Sequence, residues 1–171
     1  METRLSADFF KRDVLEVAPE LLGKTLVRVF PNGENESFII TETEAYRGKE
    51  DLACHASKGR TPRTEVMYHD GGLVYVYLIY GMYWMLNFVT SIENEPQAVL
   101  IRGLQDLNGP GKLTKHLQLD KSFYGEDLSS SQRIYVTEGL KDVKYITSTR
   151  IGIDYAGDIW KNMPWRYILS T

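Results

Sequence analysis

Glu42, Glu44 and Tyr46 alternate along one stretch of chain, with His55 shortly after. In an extended segment, side chains two apart share a face. Phe38, Ile40, Glu42, Glu44 and Tyr46 are therefore expected to point one way, and Thr41, Thr43 and Ala45 the other. At a strand rise of ~3.3 Å per residue the two carboxylates would lie roughly 7 Å apart, within reach of each other's titration and of general acid or base work. Further on, Tyr75, Tyr77, Tyr80 and Tyr83 fall within nine positions, and Gly81 follows the one expected at a turn. A large flat side chain is thereby offered outward at a tip. A carboxylate can orient water and stabilise a cationic sugar, and aromatic plates can hold a planar leaving group. Together they suit cleavage of a glycosidic bond at an everted base, with no protein nucleophile required. Plainer readings exist for each part. Tyrosines favour half-buried strands, paired glutamates often face solvent, and a lone histidine is often a hydrogen-bonded structural residue. Cys54 beside His55 does not make a thiol enzyme, because adjacent side chains of an extended chain point apart and a lone cysteine is usually a small buried filler.

The whole chain narrows these options. Its 171 residues, 43% of them hydrophobic, suit one domain spanning 1–171 with a sizeable core. The longest apolar run, Leu73 to Ile79, is too short to cross a bilayer, and no charged-then-apolar leader opens the sequence. An intracellular protein with no membrane contact is expected: cytoplasm or nucleoid in a bacterium, nucleus in a eukaryote. One cysteine excludes an internal disulfide framework and suits a reducing compartment. Three histidines (His55, His69, His116) lie far apart and resemble no ligand set, so no metal and no cofactor are expected. The formal net charge of −3 counts against a nucleic-acid partner. Local basic groups survive it: Arg60 and Arg63, Lys112 and Lys115, and Arg133, Lys141, Lys144, Arg150, Lys161 and Arg166. A compact site can touch few phosphates while acidic residues elsewhere supply solubility.

The elements that must position these residues read as a mixed α+β fold: a curved, mainly antiparallel sheet with helices around it. Leu5 to Leu22 has helical spacing with Asp8 or Asp13 as caps and Gly23 as a stop. Pro19 places the start of a second helix near Glu16, since proline is tolerated in a first turn. Thr25 to Phe30, a turn at Pro31 to Gly33, and Ser37 to Tyr46 predict a β-hairpin. A polar loop from Arg47 to Arg63 carries His55, and Pro62 to His69 holds one short helix. Leu73 to Thr90 is a second hairpin and Gln97 to Arg102 a further strand. From Gly109 to Leu119, turn residues followed by Leu113 and Leu117 predict a helix whose N-terminal amides could meet a phosphate. Arg133 to Thr137 and the segment Arg150 to Ile153 are expected as short strands, with Trp160 and Trp165 closing the core.

Nearly the whole chain resembles the alkyladenine (3-methyladenine) DNA glycosylases of the mammalian type, a family with bacterial members. The residues that carry the likeness run in order: Phe9 and Phe10, Leu21 to Arg28, Glu42 to Tyr46, Asp51 to His55, Gly59 to Arg63, Tyr75 to Tyr83, Asn87, Val99 to Arg102, Asn108 to Leu113, Arg150 to Gly157 and Pro164 to Tyr167. The resemblance implies a monofunctional base-excision-repair enzyme that flips alkylated purines out of double-stranded DNA and hydrolyses the N-glycosidic bond, leaving an abasic site. Glu44 would be the general base that holds the attacking water, helped by Arg102 and the backbone carbonyl of Ile153. Tyr46 and His55 would stack on one side of the base and Tyr77 on the other, while a His55 amide reads its edge. Tyr80 would fill the gap in the duplex, with Met82 in the same wedge and Lys112 also on the DNA. Asn87 would crowd the exocyclic amine of guanine, so that normal guanine is refused. Expected substrates are 3-methyladenine and 7-methylguanine. Hypoxanthine and etheno-adenine stay open, because a neutral leaving group needs an acid that no residue clearly supplies. No obligatory protein partner is implied, and a monomer is expected. The chain departs from the mammalian pattern in two extra residues in the loop Ile92 to Pro96, and in Cys54 and Met85 on the pocket side.

Two rival readings remain beside this one. A non-catalytic damaged-DNA-binding module would keep Tyr80 and the basic groups without needing Glu44. A hydrolase of free nucleosides would use the carboxylate and the aromatics without needing an exposed Tyr80.

Overall fold

The computed structural model of the chain describes residues 2–170. Two short helices open it, α1 (Ala7–Phe10) and α2 (Val14–Glu20). The second begins two residues before Glu16 because Asp13 caps it, its side chain accepting from the Leu15 amide at 2.8 Å, so Pro19 falls inside the helix and not in its first turn. The first hairpin follows as β1 (Thr25–Val29) and the long β2 (Asn35–Tyr46). The second is β3 (Val74–Ile79) and β4 (Tyr83–Thr90), followed by β5 (Gln97–Leu104), β6 (Leu107–Asn108) and helix α3 (Pro110–His116). The chain ends with β7 (Ile134–Thr137), β8 (Lys144–Ser148), α4 (Gly157–Lys161) and β9 (Arg166–Ser170). Short 3-10 turns at His55–Lys58, Glu65–Tyr68, Lys121–Phe123 and Asp154–Ala156 join them. The expected strand at Arg150 to Ile153 is not formed. That segment is coil and bend with Gly152 at φ 75°, and the strands on either side are β8 and β9, which the sequence reading did not anticipate.

All the strands join one mainly antiparallel sheet with the order β3-β4-β5-β2-β1-β7; β6 is added to β5, and the β8/β9 pair to β2. The arrangement is an α+β domain. The twelve residues of β2 make it the hub: its first half pairs with β1, and its second half lies between β5 and β9, so that Glu44 faces Leu100 on one side and Arg166 on the other.

Strict alternation separates the two faces of this central region. Val74, Val76, Leu86, Phe88, Val99, Ile101 and Ala45 turn to one side and form the main core with Val14, Val17 and Ala18 of α2, Leu21 just after it, and Leu113 of α3. Each fully buried aliphatic or aromatic side chain there is worth roughly 1.5–3 kcal/mol. Their neighbours Tyr75, Tyr77, Met85, Asn87, Ala98, Leu100 and Arg102 turn to the other side, where they line a cleft.

The expectation that Phe38 and Ile40 share a face with the glutamates is corrected by the register. Pairing of β2 with β5 slips between Ile40 and Thr43, so Ile40 joins the core with Ala45 while Glu42 and Glu44 go to the cleft side. Gly103 lies opposite Glu42 at the slip. A Cβ there would come within 2.9 Å of Thr41 Oγ1 and 3.2 Å of Glu42 Cβ.

Candidate active site

The cleft has a volume of about 340 Å³, and Glu44, with no exposed surface, lies behind Tyr46, Arg102 and Ile151 of its lining. Its position on a strand flanked on both edges accounts for the burial. Tyr46, two residues on and hence on the same face, donates its hydroxyl proton to Glu44 Oε1 at 2.8 Å. The amide of Ile151 donates to Oε2 at 2.7 Å, and Arg102 Nε stands 3.7 Å from the same oxygen. A carboxylate has room for about four donors, so two filled positions leave capacity for another. Burial pushes the Glu44 carboxyl above its ordinary range, against the opposing pull of Arg102, the Ile151 amide, the Tyr46 hydroxyl and Arg150. A carboxylate raised in this way is, when ionised, a stronger base than one in water.

Behind Tyr46 lies a fully buried ion pair. Arg150 Nη1 meets Asp51 Oδ2 at 2.6 Å and Nη2 meets Oδ1 at 3.0 Å, with both side chains inaccessible. The same guanidinium donates to the carbonyls of Ala45 and Trp160 and lies 4.9 Å from the Tyr46 ring centroid. Asp51 in turn accepts the amides of Arg47 and Ala53. This network ties the loop after β2 to the coil that supplies the Ile151 amide. Removing one partner of a pair so buried would leave the other charge uncompensated, at a cost of about 3–5 kcal/mol.

The aromatic wall comes from β3 and the His55 turn. His55 Nδ1 is 2.8 Å from the Tyr75 hydroxyl, and its ring meets Tyr77 edge to face with centroids 4.4 Å apart. Burial, helped by the positive charges of Arg63 and Lys58, pushes His55 down to about 4, so the imidazole is neutral near pH 7. Tyr77 stays protonated, its hydroxyl raised by burial. Asn87 on β4, itself buried, donates its side-chain amide to the Tyr75 carbonyl at 3.2 Å.

At the mouth, the β3/β4 turn places Tyr80 at φ 51° and Gly81 at φ 65°, closed by the Met82 amide on the Ile79 carbonyl at 3.1 Å. Positive φ at both central residues matches the twist of a tight hairpin. Tyr80 is 87% exposed and Met82 64%, so an apolar tip stands in water beside the cleft. α3 packs its first turn against the hairpin at its turn end, where a Cβ at Gly111 would come within 3.0 Å of the Tyr83 ring, and Lys112 is exposed next to it. α3 is a seven-residue helix.

The structure thus brings Glu44, Tyr46, His55, Tyr77, Tyr80, Asn87, Arg102 and Ile153 together around one cleft. Met82 stands on the exposed turn beside it, and Lys112 in the helix flanking it. The backbone group on Glu44 is the Ile151 amide, whereas the Ile153 carbonyl accepts the Ala156 amide at 2.9 Å. Sequence reasoning missed Asp51, Tyr155 and the Ile151 amide, and it counted Arg150 and Arg166 among the free basic groups, whereas Arg150 is buried on Asp51 and Arg166 is bonded to Glu42. Contacts such as Glu44 to Ile151, separated by 107 residues, leave no local signal. The doublet Gly152 and Gly157 around them was the nearest hint of irregular backbone. Among the described residues no group of three or more His, Cys, Asp or Glu is arranged to hold a metal ion, and no helix is long and apolar enough to cross a membrane.

Comparison with known proteins adds independent findings. The family model for methylpurine-DNA glycosylase matches residues 8–108 and 105–171. A protein of Desulfitobacterium hafniense (strain Y51) is 43% identical over 195 residues, spanning 98% of this chain and 95% of its own length. One of Rickettsia felis is 45% identical over 174 residues, covering 97% and 93%, and one of Methanocella arvoryzae 43% identical over 183 residues, covering 95% and 90%. All three are provisionally named 3-methyladenine DNA glycosylases.

Proposed function

The chain belongs to the methylpurine-DNA glycosylase family, and from that premise we propose that it excises alkylated purines from duplex DNA by a water attack that Glu44 directs. The activity class is that of a DNA-3-methyladenine glycosylase in base-excision repair, a hydrolase of N-glycosyl bonds acting on damaged DNA. The observation that carries the mechanism is a fully buried carboxylate, oriented by a tyrosine hydroxyl and a backbone amide that both line an aromatic cleft beside an exposed tyrosine tip.

Alkylation at N3 or N7 puts positive charge on the purine. The bond to the sugar weakens, and electron-rich faces attract the base more strongly. Tyr46, Tyr77 and a neutral His55 suit such a cation, since none carries a repelling charge. The base enters with Tyr46 and His55 on one side and Tyr77 on the other. His55 and Tyr77 stand in edge contact in the free protein, so Tyr77 must turn or withdraw as the base enters. Tyr80, with Met82, fills the space the nucleotide leaves, and unstacking costs a few kcal/mol, least for a damaged base. Asn87 narrows the cleft against the amine of normal guanine; 7-methylguanine bears the same amine and is released less readily than 3-methyladenine, its positive charge weakening the bond to the sugar enough to offset the poorer fit.

Water held by Glu44 and Arg102 attacks the anomeric carbon as the glycosidic bond breaks. Glu44 takes the water's proton, the bonding electrons leave with the base, and an abasic sugar remains. The electron-poor methylated base needs no acid to depart, which makes 3-methyladenine and 7-methylguanine the substrates. No lysine lines the cleft among the described residues, which supports simple hydrolysis without strand nicking. The protein works inside the cell as a monomer on its DNA substrate.

Comparing a methylated duplex with the free methylated nucleoside tests this reading. Tyr80→Ser should reduce base release from duplex at least ~100-fold while changing nucleoside hydrolysis little. Equal loss on both substrates would favour a nucleoside hydrolase instead.

A further inference from the structure

Glu42 lies beside the catalytic carboxylate and has no part in the reaction as proposed. Its Oε2 accepts from Arg102 Nε at 3.1 Å and from Arg166 Nη1 at 3.2 Å. Arg166 is fixed in turn by a 2.7 Å bond from its Nε to the Thr149 carbonyl. Arg102 Nε is the atom shared between the two glutamates, 3.1 Å from Glu42 and 3.7 Å from Glu44. Its terminal nitrogens make no hydrogen bond within the protein among the described residues, although Arg102 lines the cleft. The register slip in β2 is what turns Glu42 to this side, and Gly103 leaves it room.

We infer that Glu42 is a positioning residue that holds Arg102 back from Glu44, keeping the terminal guanidinium edge free for the water and the sugar. The inference rests on Glu44 acting as the base. Were Arg102 to close on Glu44, its two parallel N–H groups would form a bidentate pair. That pair would occupy the acceptor positions water needs and weaken the carboxylate as a base. Glu42 competes for the same nitrogen and prevents this collapse, while Arg166 limits how strongly it competes. Glu42 and Glu44 therefore have distinct tasks despite their similar setting: one meets water, and the other aims the arginine.

The charged and titratable groups that set the balance are few. Around Glu44 stand Arg102 from β5, Tyr46 from its own strand, Arg150 from the coil before the Asp154 turn, and, at longer range, Tyr77 of β3 and Tyr155. Glu42 faces Arg102 and Arg166.

Single-turnover release of 3-methyladenine from a methylated duplex, followed against pH, tests the idea. Glu42→Gln keeps the size and one acceptor oxygen but removes the charge. The acid limb of its rate profile should move down by roughly half a pH unit, and its plateau should fall about tenfold, with lesion affinity unchanged. Arg166→Gln should move the limb the opposite way, because Glu42 then acts on Arg102 alone. A second variant with an opposite sign guards against misfolding of the first. An unchanged limb in both variants, with only a lower melting temperature, would make Glu42 structural and overturn the inference. Absence of release by the wild type would instead remove the reading on which it rests.

Discussion

Glu44 combines complete burial with a raised pKa, and each has a measurable consequence. A carboxyl raised above its unfolded value favours its protonated form in the fold. Ionised Glu44 therefore lowers stability at neutral pH, and this cost disappears as pH falls. Glu44→Gln should accordingly abolish base release, keep lesion binding, and raise the melting temperature by about 2–4 °C per kcal/mol relieved. A melting temperature that falls instead would show that the carboxylate, not merely an acceptor, anchors Tyr46 and Ile151. His55 carries the opposite sign. Its folded pKa of about 4 lies below the ordinary 6.5, so stability is full above about pH 6.5 and is lost as pH drops toward 4, where the unfolded chain binds a proton the native one refuses. Thermal melts across that window should decline more steeply for the wild type than for His55→Gln. At this scale the sequence was legible wherever period two operates: Glu44 and Tyr46 share a face as expected. Arg150 and Asp51 were not legible, because their contact joins segments 99 residues apart.

Two elements carry the site, and each has a glycine at its critical point. In the β3/β4 hairpin, Gly81 at φ 65° follows Tyr80 at φ 51°, and this turn chemistry was readable in the sequence. In β5, Gly103 permits the slip that sends Glu42 to the cleft and Ile40 to the core. That slip was not readable, since alternation predicts uniform faces and a bulge is set by the partner strand. Gly103→Ala should destabilise the fold by about 1–3 kcal/mol, in line with overpacking elsewhere, and impair release more than lesion binding. Urea denaturation and single-turnover rates on one preparation check both effects. The coil from Arg150 to Ile153 was misread as a strand for a related reason. Its apolar alternation resembles β structure, but Ile151 spends its amide on Glu44 and not on a neighbouring strand.

For the molecule as a whole, a net charge of −3 coexists with a DNA substrate because the charge is distributed unevenly. Lys58, Arg63 and Lys112 are exposed around the cleft and form no ion pair among the described residues, whereas Arg12, Arg47, Arg60 and Arg133 are each matched by a carboxylate. Few free cations beside the cleft imply few phosphate contacts there. With about three such contacts, duplex affinity should fall roughly 40-fold between ~50 and ~200 mM salt, and hydrolysis of a free nucleoside should be indifferent to it. Fold class and the sheet with its two hairpins were evident from periodicity and turn residues. The central place of β2 between β5 and β9 was not, because strand order is a property of packing. The central claim is that Glu44 directs water at a damaged base held in this cleft. Its most direct test is the release of free 3-methyladenine from a methylated duplex, under metal chelation, by the wild type beside Glu44→Gln. Release by the wild type alone, with binding retained by the variant, is the predicted result; equal release by both would contradict it.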